Sequence, residues 1–231
     1  MQALAILSPA DWAALAWFIA AWMAYAWYSR RAGQGGATLL ATTNRWRTRW
    51  MLQATSRDPR VLDGIIVQSL SSSPSFFASA TLIIIGGLLA LLGTTDKAAE
   101  FVREIPFAVR TSMLVFELKV LLLMAIFVFA FFRFTWSMRQ YTFAALVLGS
   151  MPSPADFDQG RFDREQVAAR AGKLVGMAAD TFNDGIRAYY FSFAALAWFF
   201  SPLALAIGVA IVVGVLYARE FNSHVLAVLR D

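Results

Sequence analysis

The chain has 231 residues, 59% of them hydrophobic and 15% charged, with a net charge of +5, no cysteine and one histidine. A charged share well below the roughly 25% of soluble domains excludes an ordinary soluble globule. The absence of cysteine excludes disulfides, iron–sulfur clusters and thiolate zinc sites, and a lone His224 excludes bis-histidine haem ligation within one chain.

Four apolar stretches, at about residues 11–28, 75–93, 111–133 and 189–217, set the class. A helix rising 1.5 Å per residue needs roughly 20 residues to cross about 30 Å of hydrocarbon. The stretches predict an all-α integral membrane protein with four transmembrane helices in a single membrane domain, residues 1–231. Little chain is left for a separate soluble enzyme.

The first stretch is alanine-rich and carries Trp12, Trp17, Trp22 and Trp27. Five-residue spacing turns about 140° per step, so these rings do not form one stripe, which suits a peripheral, lipid-facing span. Gly33, Gly35 and Gly36 then break the helix, and Thr38 is placed to cap the next one. In residues 39–54, Trp46 and Trp50 stand one turn apart beside a row of Arg45 and Arg49. Such a helix either lies in the interface, with rings at headgroup depth and guanidinium groups on anionic lipid phosphates, or docks on neighbouring helices.

After Pro59, an amphipathic pattern of Val61, Ile65, Ile66 and Leu70 leads through Pro74 into the second stretch. Ser69, Ser72, Ser73 and Ser79 straddle that proline. Their hydroxyls can satisfy backbone groups freed by a kink, or they can line a hydrated vestibule. They mark this helix as the candidate pore-lining element, and Gly86 and Gly87 are candidates for close helix packing.

Glu117 and Lys119 sit inside the third stretch, where a charge needs water or a partner. Two residues apart means about 200° around a helix, so they face different neighbours. One reading is an ion-conducting or proton-linked site; the other is an interhelical ion pair or an outer-leaflet anchor. The helix continues past Arg133 to Gly149. The fourth stretch begins early too, as an amphipathic segment over residues 162–186. Helical regions at about 38–73 and 134–187 therefore form a cytoplasmic stalk below three of the spans. Gly172 and Gly176 make a small-xxx-small pair within it.

Catalytic chemistry finds little support. Asp180 and Asp184, with Asp156, Asp158 and Asp163 nearby, have carboxylates enough for a divalent cation, yet turn, capping and Asp184–Arg187 pairing explain them as well. No nucleophile–base set, phosphate-binding loop or dinucleotide fingerprint is present. The expectation is no enzyme, no resident metal or cofactor, and no nucleic-acid partner.

Charge placement orients the chain. The first connection carries Arg30, Arg31, Arg45, Arg47, Arg49, Arg57 and Arg60, and the third is similarly basic. The second has Lys97, Arg103 and Arg110 balanced by Asp96, Glu100 and Glu104. By the positive-inside rule the two basic connections face the cytoplasm, which puts both termini outside, periplasmic in a bacterial inner membrane.

In combination several segments resemble a known family. Residues 44–51 read Asn-Arg-Trp-Arg-Thr-Arg-Trp-Met, and the serine cluster 69–73 follows Arg60. Residues 76–81 read Phe-Phe-Ala-Ser-Ala-Thr, Glu117 and Lys119 precede Phe-Phe-Arg-Phe-Thr-Trp at 131–136, and residues 189–202 include Ala-Trp-Phe-Phe-Ser-Pro. From about Trp27 to Glu220 the chain resembles the bacterial and plant membrane family catalogued as domain of unknown function 599. The resemblance implies a four-span membrane protein and supplies no activity. The residues themselves suggest a homo-oligomeric, channel-like protein, or a non-catalytic scaffold or accessory subunit with a protein partner. A small transporter is a third reading, disfavoured by the lack of an evident internal repeat.

Overall fold

The computed structural model describes residues 7–36, 38–93 and 112–230, and every element among them is a helix. In chain order they are α1 (Pro9–Gln34), α2 (Leu39–Ala54), α3 (Val61–Gly93), α4 (Met113–Gly149), α5 (Pro154–Asp158), α6 (Arg164–Ala197), α7 (Pro202–Phe221) and α8 (His224–Arg230). The connection with Lys97, Arg103 and Arg110 lies outside the described residues.

Local chemistry starts most of these helices. Ser8 accepts from the Asp11 amide while the Asp11 carboxylate takes the Ser8 amide, a reciprocal cap that leaves Pro9 in the first turn. Thr38, Ser112, Ser153, Asp163 and Ser201 each accept from an amide three residues on, at the starts of α2, α4, α5, α6 and α7.

Three helical stretches are long and apolar enough to cross a membrane: Val61–Gly93, Met113–Gly149 and Pro202–Arg230. The expected four are not reproduced, for two physical reasons. The first stretch is a helix of 26 residues, but its tryptophans, tyrosines and alanines give it a modest hydropathy. The fourth, 189–217, is not one helix. It breaks at residues 198–201, where Ser201 and Pro202 open α7, and α7 returns antiparallel along α6. A Cβ on Gly208 of α7 would lie 3.3 Å from the Ala194 Cα of α6, and Arg219 hydrogen-bonds the Tyr190 hydroxyl farther down.

That hairpin places the two ends of the described chain apart. The indole Nε1 of Trp198 at the hairpin turn donates to Asp11 at 2.8 Å, so the start of α1 sits beside the turn. At the other end of the bundle Trp46 Nε1 of α2 donates to the Leu229 carbonyl at 3.1 Å, and the Leu40 amide donates to Glu220. The expectation that both termini share the face opposite the basic connections is thus corrected: the C-terminal helix packs on α2, within the basic half.

Two cores result. One joins α1, α3, α4, α6 and α7 through Phe18, Phe127, Phe134, Phe191, Trp198 and Leu205. Trp22 stacks on Phe191 at 5.0 Å, while Trp12, Trp17 and Trp27 stay exposed. The second joins α2 to the other ends of α3, α4 and α6 through Met51, Val67, Tyr141, Ala171 and Val175. α3, α4 and α6 each run through both; we call the half around the first core the bundle and the half around the second the stalk.

Polar side chains mark two levels of the first core. Asp11, Lys119 and Trp198 meet at one end; Ser29, Arg30, Arg133, Asp184 and Arg187 meet at the other. By the 1.5 Å rise they are about 21 Å apart along α4 and about 27 Å along α1, comparable with a hydrocarbon layer.

Candidate functional site

Each sequence candidate has a definite place. Lys119 is 2% exposed, donates to the Trp198 carbonyl at 2.8 Å, and faces the Trp198 and Phe199 rings. It anchors the hairpin turn, since a buried ammonium here is held by a carbonyl, two ring faces and nearby Asp11. Glu117 lies half-buried on another side of α4, with no ion pair among the described residues. The structure does not bring the two together.

Ser69, Ser72, Ser73 and Ser79 lie on the exposed face of α3, while Pro74, Ala78 and Thr81 are buried on its packed face. Ser72 donates to the Ser69 carbonyl at 2.6 Å, and Thr81 shares a 2.7 Å hydrogen bond with the Tyr189 hydroxyl. Gly86 and Gly87 are on the exposed side as well, and a Cβ on either would meet nothing within 4 Å. They make no close packing within the chain.

Gly172 and Gly176 do. A Cβ on Gly172 would lie 2.8 Å from the Thr48 Cα, and one on Gly176 3.1 Å from the Asn44 side chain. Their bare backbone admits α2, so this surface is closed within the chain. α2 is therefore docked on the stalk. Arg45, Trp46 and Arg49 remain on its exposed side, with Arg49 over the Trp46 ring. Trp50 is turned inward instead, its Nε1 donating to buried Asp63 at 2.7 Å beside Arg57.

The acidic residues are individually engaged. Asp156 takes Ser153 and Arg161, Asp158 takes Arg164, and Asp163 caps α6. Among the described residues no three His, Asp or Glu come together as a metal site.

The most developed polar site was not picked out by sequence. Asp184 of α6 accepts from Arg187 of its own helix at 3.3 Å, from Arg30 of α1 at 2.9 Å, and from Arg133 of α4. Arg187 is the most buried of the three, with its Nη2 on Ser29 at 2.7 Å and its guanidinium over the Tyr25 ring. Three guanidinium groups on one carboxylate leave the site cationic. It walls a cleft of about 550 Å³ at the bundle–stalk junction, also lined by Asn44, Gln140, Asp180 and Thr181. Arg187 and Leu40 separate it from a smaller cleft of about 210 Å³, where Arg47, Arg219 and Glu220 line the wall.

Two buried polar atoms of the larger cleft's wall have no partner: Arg133 Nε and Gln140 Oε1. Just below, burial pushes the Asp180 carboxyl above its usual range despite a hydrogen bond from Asn44, and burial lowers the Arg47 guanidinium and raises the Tyr141 phenol. A sequence signal existed. The Asp184–Arg187 pair is the one read from spacing, whereas Arg30 and Arg133, each at the basic boundary of an apolar stretch, read as topology markers rather than as members of its cluster.

Neither the curated proteins nor the solved structures contain a match to this chain. Residues 13–225, nearly its whole length, match the family described as protein of unknown function, DUF599, and the chain belongs to that family.

Proposed function

We propose that the protein is a non-catalytic integral membrane protein that self-associates through the outer face of α3 and forms a channel-like permeation path there. The observation that carries this reading is the composition of that face. Ile65, Ser69, Ser72, Phe76, Ser79, Ile83 and Gly86 recur at alternating four- and three-residue steps, all exposed and opposite the face packed on α4. A seven-residue repeat with Ser72, Ser79 and Gly86 in one register suits close helix approach within a bilayer, where small residues and hydroxyls replace a hydrophobic drive. A lipid-facing helix has no need of hydroxyls along its outer line.

In this reading α1, the upper parts of α3 and α4, the end of α6, and α7 all pass through a bacterial cytoplasmic membrane. Five passes fit the opposed chain ends: the α1 start outside, and α2, α5 and α8 on the basic, cytoplasmic side. The alternative, an accessory subunit, uses the same α3 face for a different protein. The Gly172–Gly176 surface does not favour it, because α2 already occupies that surface.

Introduced cysteines decide between these, since the chain has none of its own. Ser79→Cys is expected to give a disulfide-linked dimer on oxidation in membranes, and liposomes with the purified protein to pass ions or small solutes. A thiol reagent on Ser72→Cys should block that flux. Cross-linking without flux over a broad ion panel would leave assembly and remove the channel. Monomer alone in both assays would overturn the proposal.

A further inference from the structure

We infer that the arginine cleft at the bundle–stalk junction is a binding site for a phosphate oxyanion. The charge count points to an anion. Arg30, Arg133 and Arg187 face two carboxylates, Asp180 and Asp184, and Asp184 alone takes a hydrogen bond from all three arginines. Three guanidinium groups from α1, α4 and α6 outnumber the two carboxylates, so the wall carries net positive charge and disfavours a cation.

The unmet groups point to a ligand rather than to a sealed ion-pair network. Gln140 is 4% exposed, lines the cleft, and its carboxamide oxygen has no partner; Arg133 Nε in the same wall is likewise buried and unpaired. Buried polar groups are nearly always satisfied, so these two atoms call for a further partner in the cleft, ordered water or a bound ligand. A carboxamide turned end for end presents its NH₂, and Gln140 then adds a neutral donor to the same cleft wall, about two helical turns along α4 from Arg133. Arginine forks combined with neutral donors match a tetrahedral oxyanion with several acceptor oxygens.

Size and depth narrow the class. About 550 Å³ is more than one ion fills, with room for a phosphate and the small group it carries. The cleft also lies at the lower polar level, about one hydrocarbon thickness from the level of Asp11 and Lys119, where phospholipid phosphates of the basic-side leaflet would stand. Arg30, with 67% of its side chain exposed, stands at the rim where such a group would enter. The shared chemistry is the phosphate; a lipid headgroup and a free phosphate are its two sources. The site does not depend on whether α3 self-associates.

The test is calorimetric titration of the purified full chain in a phosphate-free neutral detergent. The probes are inorganic phosphate, a short-chain phosphatidylglycerol and a short-chain phosphatidylcholine. Saturable binding of phosphatidylglycerol over phosphatidylcholine assigns a headgroup site, and saturable binding of inorganic phosphate assigns a soluble ligand. Gln140→Leu keeps the buried volume and Arg30→Gln removes the most exposed arginine of the cluster; each should weaken binding about tenfold, the scale of one charge-assisted hydrogen bond, with the thermal midpoint of each variant checked alongside. Arg45→Gln with Arg49→Gln should leave affinity within about twofold, since these exposed arginines on α2 do not line the cleft. No binding of any probe overturns the inference. So does an Arg45/Arg49 loss as large as that of Arg30, which would mark only general surface charge.

Discussion

α3 and α6 are helices of almost equal length, 33 and 34 residues, with opposite surroundings. Five residues of α3 are buried and sixteen of α6, yet α3 is the more apolar helix. In water that ordering would be inverted. In a bilayer the surrounding lipid would be as apolar as leucine, and hydrophobicity would mark the outside. Small and polar residues mark the inside, where backbones approach and hydrogen bonds find partners. α6 holds Gly172, Gly176 and Gly185 against neighbours, together with Asp184, Arg187 and Ser192; α3 turns Ile83, Leu82 and Phe76 outward.

The contrast can be broken most forcefully at Asp184. Asp184→Ala leaves Arg187 buried without its carboxylate, and removing one partner of a buried pair costs roughly 3–5 kcal/mol. The exposed Arg30 adds little to that. A large fall in thermal stability of the detergent-solubilised protein is the expected outcome; an unchanged midpoint would mean that α6 is not held by this cluster. Next comes Gly185→Leu, whose Cβ would run into the Phe134 ring. Overpacking there should cost about 1–3 kcal/mol in the same assay, with Gly86→Leu on α3 within about 0.5 kcal/mol of the parent. Equal effects at the two glycines would erase the distinction between the helices.

A smaller effect is expected from pH. Because burial holds the folded Asp180 carboxyl above its ordinary 3.8, the folded state keeps that proton to higher pH than the unfolded chain. The contribution of Asp180 to stability is then fully present below 3.8 and is lost as pH rises through the raised folded value. Asp180→Asn should flatten that part of the stability–pH curve, and a curve unchanged by the substitution would place the carboxylate in water. Smallest is Ser72→Ala on the outer face of α3, expected to leave monomer stability within about 0.5 kcal/mol. A larger loss in dilute detergent would mean that α3 has a second packed face.

Legibility followed the range of the interactions. The Thr38 cap and the helix start at Asp163 were legible because a cap needs only residues three apart, and the helix over 164–186 because an amphipathic stripe repeats every turn; Ser8, Ser112, Ser153 and Ser201 emerge as caps only in the structure. The hairpin at residues 198–201 was harder. An unbroken apolar run from 189 to 217 has the length of one tilted span, and Ser201–Pro202 breaks it only once Ser201 is seen capping α7. Gly172 and Gly176 carried a correct packing signal, but their partner, α2, stands more than a hundred residues earlier. Gly86 and Gly87 carried the same signal with open space beside them.

The sequence by itself determined an all-helical chain with stretches long and apolar enough to cross a membrane, and where α2 and α6 begin, because solvent preference and helix geometry act residue by residue. Only the tertiary structure decided that the last apolar stretch folds back on itself, that Lys119 closes the turn, and that Arg30, Arg133 and Arg187 meet on Asp184. Those outcomes depend on which helix faces cross. Crossing is set by packing between segments far apart in the chain; a local pattern such as a glycine pair can mark a close contact but does not name its partner.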